Sequence, residues 1–449
     1  MADECQLSPL PELVHPYEDS LSYRVAKNAV TSAGLKKVAR VPERVAAHTE
    51  AFTVQVAPQG AITNQKRSGR CWMFAALNVF RREVMVRENL ESFELSQAYT
   101  LYWDKLERSN WFLNQVIALV DEPLEGREMA WLLADPLCDG GQWDMLVSLV
   151  KKYGVCPKEA MPETECSSNT HEMDYYLTKL LRSFAAELRA CHVAGDDRAA
   201  LAAKLPAMLD TVERALRTCL GEPPQAFDFR ARTKDKEPKT VEELGITPRQ
   251  FFEKYVGLDL DDYVSVICAT TPDKPFMRTF TVELLGNVAE DGQVKYLNLP
   301  IERLKELALA ELRDNHPVWF GSDVAQSEVR DDGLLDPAAV DVASVFGCPD
   351  FSMDRATRLA YGDSCMTHAM VLQGASLNAQ GAPTAWRVEN SWGKDFGHDG
   401  FYLMDDAWFT EYVYQVAVSK KYLTKDELAA WETEPISLRP WDPMGTLAR

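Results

Sequence analysis

Two periods of apolar residues alternate along the chain, and the change of period divides it. From residue 71 to about 88, Trp72, Ala76, Val79 and Phe80 recur at helical spacing and predict a helix. Ser68 or Gly69 stands where its cap belongs. Leu177, Leu181, Phe184 and Leu188 repeat the helical period, as do Leu201, Leu205, Met208, Val212 and Leu216. Residues 222–244, EPPQAFDFRARTKDKEPKTVEEL, are polar and proline-bearing and read as a loop. Strand-like pieces follow at 263–270 and 279–285, and 286–293 looks like a connection to a further strand. The last third turns to β, with short apolar runs in HAMVLQGAS from His368, AWRVENSW from Ala385 and GFYLM from Gly400. The pattern predicts an α+β fold in five parts. These are an N-terminal extension (1–60) whose short helical pieces are broken by Pro9, Pro11, Pro16 and Pro42, a helical subdomain (61–154), a helix-rich segment (155–310), a β-rich subdomain (311–433) and an extended C-terminal arm (434–449). In the arm, Pro435, Pro440 and Pro443 rule out a regular helix.

Composition narrows the class. A chain of 449 residues, 46% hydrophobic and 26% charged, has core enough for two or three domains. It has no run of eighteen apolar residues, so no membrane span is expected. The start, MADECQLSPLPEL, lacks a basic-then-apolar signal pattern, and a cytoplasmic protein is the expectation. A net charge of −20 opposes nucleic acid and anionic lipid. Lys66, Arg67, Arg70, Arg81, Arg82 and Arg87 do cluster in sequence, but on a helix they spread around the axis and read as a solvated face. The ten cysteines include no C-x-x-C pair and read as free thiols. Cys365 and His368 offer half of a zinc site, with no second half at fitting spacing, so neither metal nor cofactor is expected.

The candidate chemistry lies in three places. Cys71, at the first turn of its helix, gains from the helix dipole as a thiolate, and a neighbouring imidazolium would lower its pKa further. His368 and Asn390 flank two predicted strands joined by Asn378-Ala379-Gln380-Gly381, and their midpoint, 379, falls in that turn. An antiparallel hairpin would set them opposite each other with Cβ atoms about 5 Å apart. The asparagine oxygen would then fix the histidine tautomer and leave the other ring nitrogen for the thiol. Gln65 reads as a side-chain N–H donor to an oxyanion, with the Cys71 backbone N–H as the second. Each residue alone has a plainer reading, as a small core thiol, a structural histidine or a strand-end asparagine. The combination in order, Q-x5-C-W, then T-H-A, then W-R-V-E-N-S-W-G, favours catalysis.

That combination resembles the papain-like cysteine peptidases, with Gln65, Cys71, His368 and Asn390 in family order and Trp392 after the asparagine. Leu95-Ser96-Gln97 and Cys138-Asp139-Gly140-Gly141 resemble two further family segments. The resemblance implies that Gly140 and Gly141 pair with extended substrate and that Trp392 belongs to the substrate site. Ser68 stands where the secreted enzymes carry a disulfide-forming cysteine, so Cys138, its counterpart's match, is expected free. The nucleophile and histidine are 297 residues apart, against roughly 130–150 in papain-like enzymes, and the surplus falls in the helix-rich segment, an insertion in the papain frame. One branch has this build, the bleomycin hydrolases and bacterial aminopeptidases C. It shares Gln65 to Trp72, M-T-H-A-M from Met366, W-R-V-E-N-S-W-G from Trp386, the P-W-D-P-M-G-x-L-A tail from Pro440, and Pro317 to Gly321. The resemblance implies a homohexamer acting on peptides as a cysteine aminopeptidase of broad specificity, with bleomycin-like amides as further substrates. It also implies that residues 446–449 limit access, the carboxylate of Ala448 or Arg449 meeting the substrate ammonium. The alternatives are an endopeptidase, an amide hydrolase of amino-acid conjugates, a nucleic-acid-binding module and an inactive scaffold.

Overall fold

The computed structural model describes residues 8–13, 17–18, 20–291, 293–350 and 352–448. The predicted nucleophile helix is Cys71–Arg87, and every residue in it but Glu83, Val86 and Arg87 is buried. Its apolar residues face every side, and Asn78, Arg81 and Arg82 are buried with them, so this helix is the axis of the helical half. Helices Gln97–Ala118, Trp143–Tyr153, His171–Val193 and Leu205–Leu220 share its core. The helical stretch read through 201–216 breaks at Lys204, and Pro206 opens the second piece, where its missing N–H costs nothing.

The β half is a twelve-stranded sheet. Its path runs Ile436–Leu438, Arg278–Val282, Tyr296–Asn298, Tyr263–Ile267, Val413–Ser419, Val318–Ser322, His368–Leu377, Pro383–Glu389, Phe401–Asp405, Leu334–Leu335 and Glu328–Val329, with Val54–Gln55 pairing beside His368–Leu377. Strands from residues 263–298 thus join the same sheet as those carrying His368. The strand Ile436–Leu438 of the arm adds in parallel to Arg278–Val282, and Pro443–Ala448 follows as a 3-10 turn. At the other end of the chain, Leu21–Ala33, Leu35–Ala39 and Pro42–Ala47 are short helices. Arg44 and His48 both reach the buried Asp336, at 2.7 and 2.8 Å, and tie this segment down.

Three expectations are corrected. Residues 222–244 are not a loop throughout, because Phe227–Arg232 and Thr240–Ile246 form a hairpin. FDFRAR alternates buried and exposed positions, and Phe227 and Phe229 pack on Phe251. Neither Ser68 nor Gly69 caps the nucleophile helix. Arg70 holds the cap position without a side-chain bond, while the Ser68 hydroxyl donates to the Gln65 carbonyl at 2.7 Å. The basic cluster is a solvated face only in part, since Lys66, Arg67 and Arg87 are exposed while Arg70, Arg81 and Arg82 are buried. Arg70 is buried and grips Glu163 with both terminal nitrogens, at 3.0 and 2.8 Å, and Arg81 is buried against Glu389 at 2.5 Å. Among the described residues, no helix is long and apolar enough to cross a membrane.

Candidate active site

Cys71 opens its helix at the boundary between the two halves. The backbone N–H of Ala369, next to His368, donates to Cys71 Sγ at 3.5 Å. Trp319 Nε1 donates to the Trp72 carbonyl at 3.0 Å, a second tie from sheet to helix. Cys71 and His368 line one open cleft of about 400 Å³ with Gln65, Gly140 and Leu447.

His368 and Asn390 meet, by a different register from the expected one. Val371 pairs with Glu389, which sets Met370 rather than His368 on the row of Asn390. The two irregularities in the ladder, at Leu372/Gly374 and Ser376/Leu377, offset each other. The hairpin closes about residue 380 rather than 379, as Leu377 pairs with Pro383, and Asn390 lies just past its strand. The histidine still reaches the asparagine diagonally, with Nε2 2.9 Å from Oδ1. Asn390 Oδ1 also accepts the Ser391 N–H at 2.8 Å, so the oxygen is correctly turned toward the ring. An oxygen can only accept, so Nε2 carries the proton and Nδ1 is left for the thiol. The Trp392 ring lies 4.7 Å from the imidazole, centroid to centroid, and covers it.

Gln65 is equally constrained. Its Nε2 donates to the Ser68 carbonyl at 2.6 Å, and its Oε1 accepts the Ser391 hydroxyl at 2.6 Å. Because a carbonyl accepts only, the amide orientation is settled, and one N–H remains to donate into the cleft.

The electrostatics differ from the helix-dipole expectation. Burial pushes the Cys71 thiol up to about 11, with the Ala369 N–H pulling back, and burial pushes the His368 imidazolium down to about 4. Each shift is the cost of leaving one buried charge without its partner. A thiolate and imidazolium formed together share that cost.

Gly140 borders the cleft, whereas a Cβ on Gly141 would fall 2.4 Å from the Trp72 ring. Cys138 is free, and its thiol donates to the Ala448 carbonyl at 2.9 Å. The Thr446 hydroxyl donates to the Met366 carbonyl at 2.8 Å, so the arm is bonded along its docked end. Arg449 lies outside the described residues.

A model of the Peptidase C1-like family matches residues 5–445. The chain belongs to that family. It is 48% identical to the aminopeptidase C of Streptococcus thermophilus over 437 residues, covering 97% of each chain. It is 41% identical to the bleomycin hydrolase of Gallus gallus over 435 residues, covering 95% of each. The crystal structure of PepW from Lactobacillus rhamnosis HN001 superposes with a TM-score of 0.92 at 44% identity, covering 95% of each chain. The papain-like α+β fold is therefore that of a cysteine peptidase family.

Within this family frame, the cleft holds charged residues that the motifs did not single out. Lys105, on Gln97–Ala118, is buried between Asp139 at 2.7 Å and Asp174 at 2.9 Å. Asp139 accepts the Gly69 N–H at 2.7 Å and the Thr170 hydroxyl at 2.5 Å. The Gly69 bond to Asp139 fastens the nucleophile loop to the segment carrying Cys138, the two segments that a disulfide joins in the secreted enzymes' pattern, and Lys105 and Asp174 extend the network to the His171–Val193 helix. No local pattern marks Asp174 or Lys105, since they are distant in sequence and meet only in the fold. Ser391 lies within the W-R-V-E-N-S-W-G run, but its hold on Gln65 depends on a loop more than three hundred residues away.

Proposed function

We propose that this chain is a cytoplasmic cysteine aminopeptidase that removes N-terminal residues from peptides with broad specificity. The names of its relatives support aminopeptidase activity, and the bleomycin hydrolase among them extends the reading to amides of that kind. The observation that carries it is Leu447 lining the same cleft as Cys71 and His368. A tail docked there leaves room for only a short substrate N-terminus. The resemblance to the branch further supports a homohexamer and a role for the terminal carboxylate in meeting the substrate ammonium.

The mechanism follows from the bonds described. Proton transfer from Cys71 to His368 Nδ1 forms the thiolate as the substrate carbonyl arrives. The thiolate attacks, and the free N–H of Gln65 and the Cys71 backbone N–H hold the oxyanion. The imidazolium gives its proton to the leaving amine, which departs as the shortened peptide. Water, deprotonated by His368, then cleaves the thioester and releases the amino acid and the thiol. Asn390 keeps the ring turned throughout.

Aminoacyl chromogenic substrates with free and with N-acetylated amines test the reading. Free amines should be turned over and acetylated ones not; equal turnover sinks it. The Cys71→Ala variant should be inactive on both. Deleting residues 446–449 should raise cleavage of amine-blocked peptides, and an unchanged profile would remove the arm from the mechanism.

A further inference from the structure

A second and larger cavity, about 870 Å³, adjoins the catalytic cleft. Arg67 borders both. Its walls carry three cations, Lys66, Arg67 and Arg330, against two acids, Glu165 and Asp395. The wall thus carries one net positive charge in a chain of net charge −20. Among the described residues, none of the three cations has a carboxylate within salt-bridge distance, unlike buried Arg70 and Arg81.

Arg330 and the backbone of Lys66 are held in place without a salt bridge, although the Glu328 carboxylate is near enough to feel the Arg330 charge. The Arg330 guanidinium lies between two rings, 4.5 Å from the centroid of Trp392 and 4.2 Å from that of Phe396. Stacking fixes the plane and leaves the N–H edge free to donate. Lys66 sits in the left-handed region, φ 54°, a conformation a lysine adopts at a cost, and its N–H is bonded to Asn64 Oδ1 at 2.9 Å.

The position of the cavity gives it a side. Gly140 and Leu447 border the catalytic cleft and not this cavity. Trp392, which covers the imidazole, is part of its wall. His368 must hand its proton to the leaving nitrogen, so the departing chain leaves past that tryptophan.

The geometry points to this cavity as the leaving-group subsite, in which Arg330, Lys66 and Arg67 hold a carboxylate of the departing peptide. The inference rests on the aminopeptidase reading and names its substrate class: short peptides with a free carboxylate one or two residues beyond the cleaved bond. A planar guanidinium with free edge donors takes a carboxylate in bidentate fashion, and the lysine and second arginine add charge.

The test compares wild-type kcat/KM for alanyl-alanine, its C-terminal amide, alanyl-aspartate α-amide and alanine p-nitroanilide. The acid should exceed the amide about tenfold at low salt, as one charge-assisted contact implies, and less at high salt. If alanyl-aspartate α-amide matches the acid, any carboxylate serves; if it matches the neutral amide, the chain terminus is the ligand; either keeps the subsite. In Arg330→Met the ratio of acid to amide should fall toward one, and using the ratio cancels any effect on the chemistry at His368. Lys66→Gln should lower the same ratio, which keeps the test open if Arg330→Met fails to fold. Equal turnover of acid and amide by wild type, with the anilide still cleaved, overturns the subsite alone. No turnover of any of the four overturns the aminopeptidase reading instead.

Discussion

Arg81 Nη2 lies 2.5 Å from Glu389 Oε1, with both side chains buried. Arg81 is on the helix that Cys71 opens, and Glu389 is the residue before Asn390. One ion pair therefore ties the nucleophile's helix to the strand that delivers the histidine's partner. Gln373 Nε2 donates to the second carboxylate oxygen at 2.5 Å, and Arg81 Nη1 donates to the Ala61 carbonyl at 2.7 Å. Glu389→Gln keeps the shape and leaves a buried guanidinium without its counter-charge. The expected cost is about 3–5 kcal/mol of unfolding free energy, read by urea denaturation. kcat should fall as Asn390 loses its fixed approach. A variant as stable as wild type would show that the pair contributes nothing across the two halves.

The proposed nucleophile, Cys71, and its proposed base, His368, offer a prediction about reactivity. With the thiol pushed up to about 11 by burial, an unaided Cys71 would be only about 10⁻⁴ thiolate at pH 7. His368→Gln removes the proton acceptor and keeps the polar volume. Iodoacetamide should then modify Cys71 at least about a hundredfold more slowly than in wild type at pH 7. The rate should climb about tenfold per pH unit through pH 9, because one high ionisation controls it. A plateau below pH 9 would mean that the helix terminus alone sets the thiolate.

Much of this site could be read from the chain because its parts sit in short motifs. Gln65, Cys71, His368 and Asn390 each have informative neighbours, and the helix from 71 shows its period plainly. What escaped reading depends on distant segments. A hairpin centred on residue 379 would set His368 opposite Asn390, but Leu377 pairs with Pro383, so the turn closes about residue 380 and Met370 takes the row of Asn390. The 227–246 hairpin is hidden by charge and proline, since its buried anchors, Phe227, Phe229 and Ile246, are widely spaced and the aromatic partners Phe93, Phe251 and Tyr255 lie outside it. Arg70 and Arg81 looked solvated because their carboxylates lie 93 and 308 residues away.

The Lys105 network predicts a pH dependence of stability. Burial, reinforced by the nearby Asp139 charge, pushes the Asp174 carboxyl up to about 7, while Lys105 pulls it down. Lys105 and Asp104 on one helix and Asp139 on the cleft loop are the charges that bear on the pair. Asp139 is held well below the usual carboxylate range, against its own burial, by Lys105 and its hydrogen bonds. A raised carboxyl binds its proton more tightly in the folded state. Its contribution is fully present below the unfolded value near 4 and is lost as pH rises to about 7. The loss approaches about 4 kcal/mol. Asp139 acts in the other window, losing its contribution only as pH falls below 4. Denaturation free energies of wild type and Asp174→Asn, measured from pH 4 to 8, should converge or cross as the wild-type slope runs down and the variant stays flatter. Parallel curves would sink the assignment.

Gly141 tests why a glycine stands beside the cleft. If its purpose were only to admit a substrate backbone, Gly141→Ala would raise KM and leave the melting temperature alone. The fold gives a different reason. A Cβ there would lie 2.4 to 2.6 Å from three atoms of the Trp72 ring. That ring cannot retreat, because it is fully buried, its Nε1 donates to the Asp139 carbonyl at 2.6 Å, and its own carbonyl accepts from Trp319. Overpacking of this kind costs about 1–3 kcal/mol, so the melting temperature should drop by a few degrees. The displaced ring would push on Asp139, which holds the Gly69 N–H, and kcat should fall with stability rather than KM rising alone. A variant with wild-type melting and a higher KM would return Gly141 to the substrate.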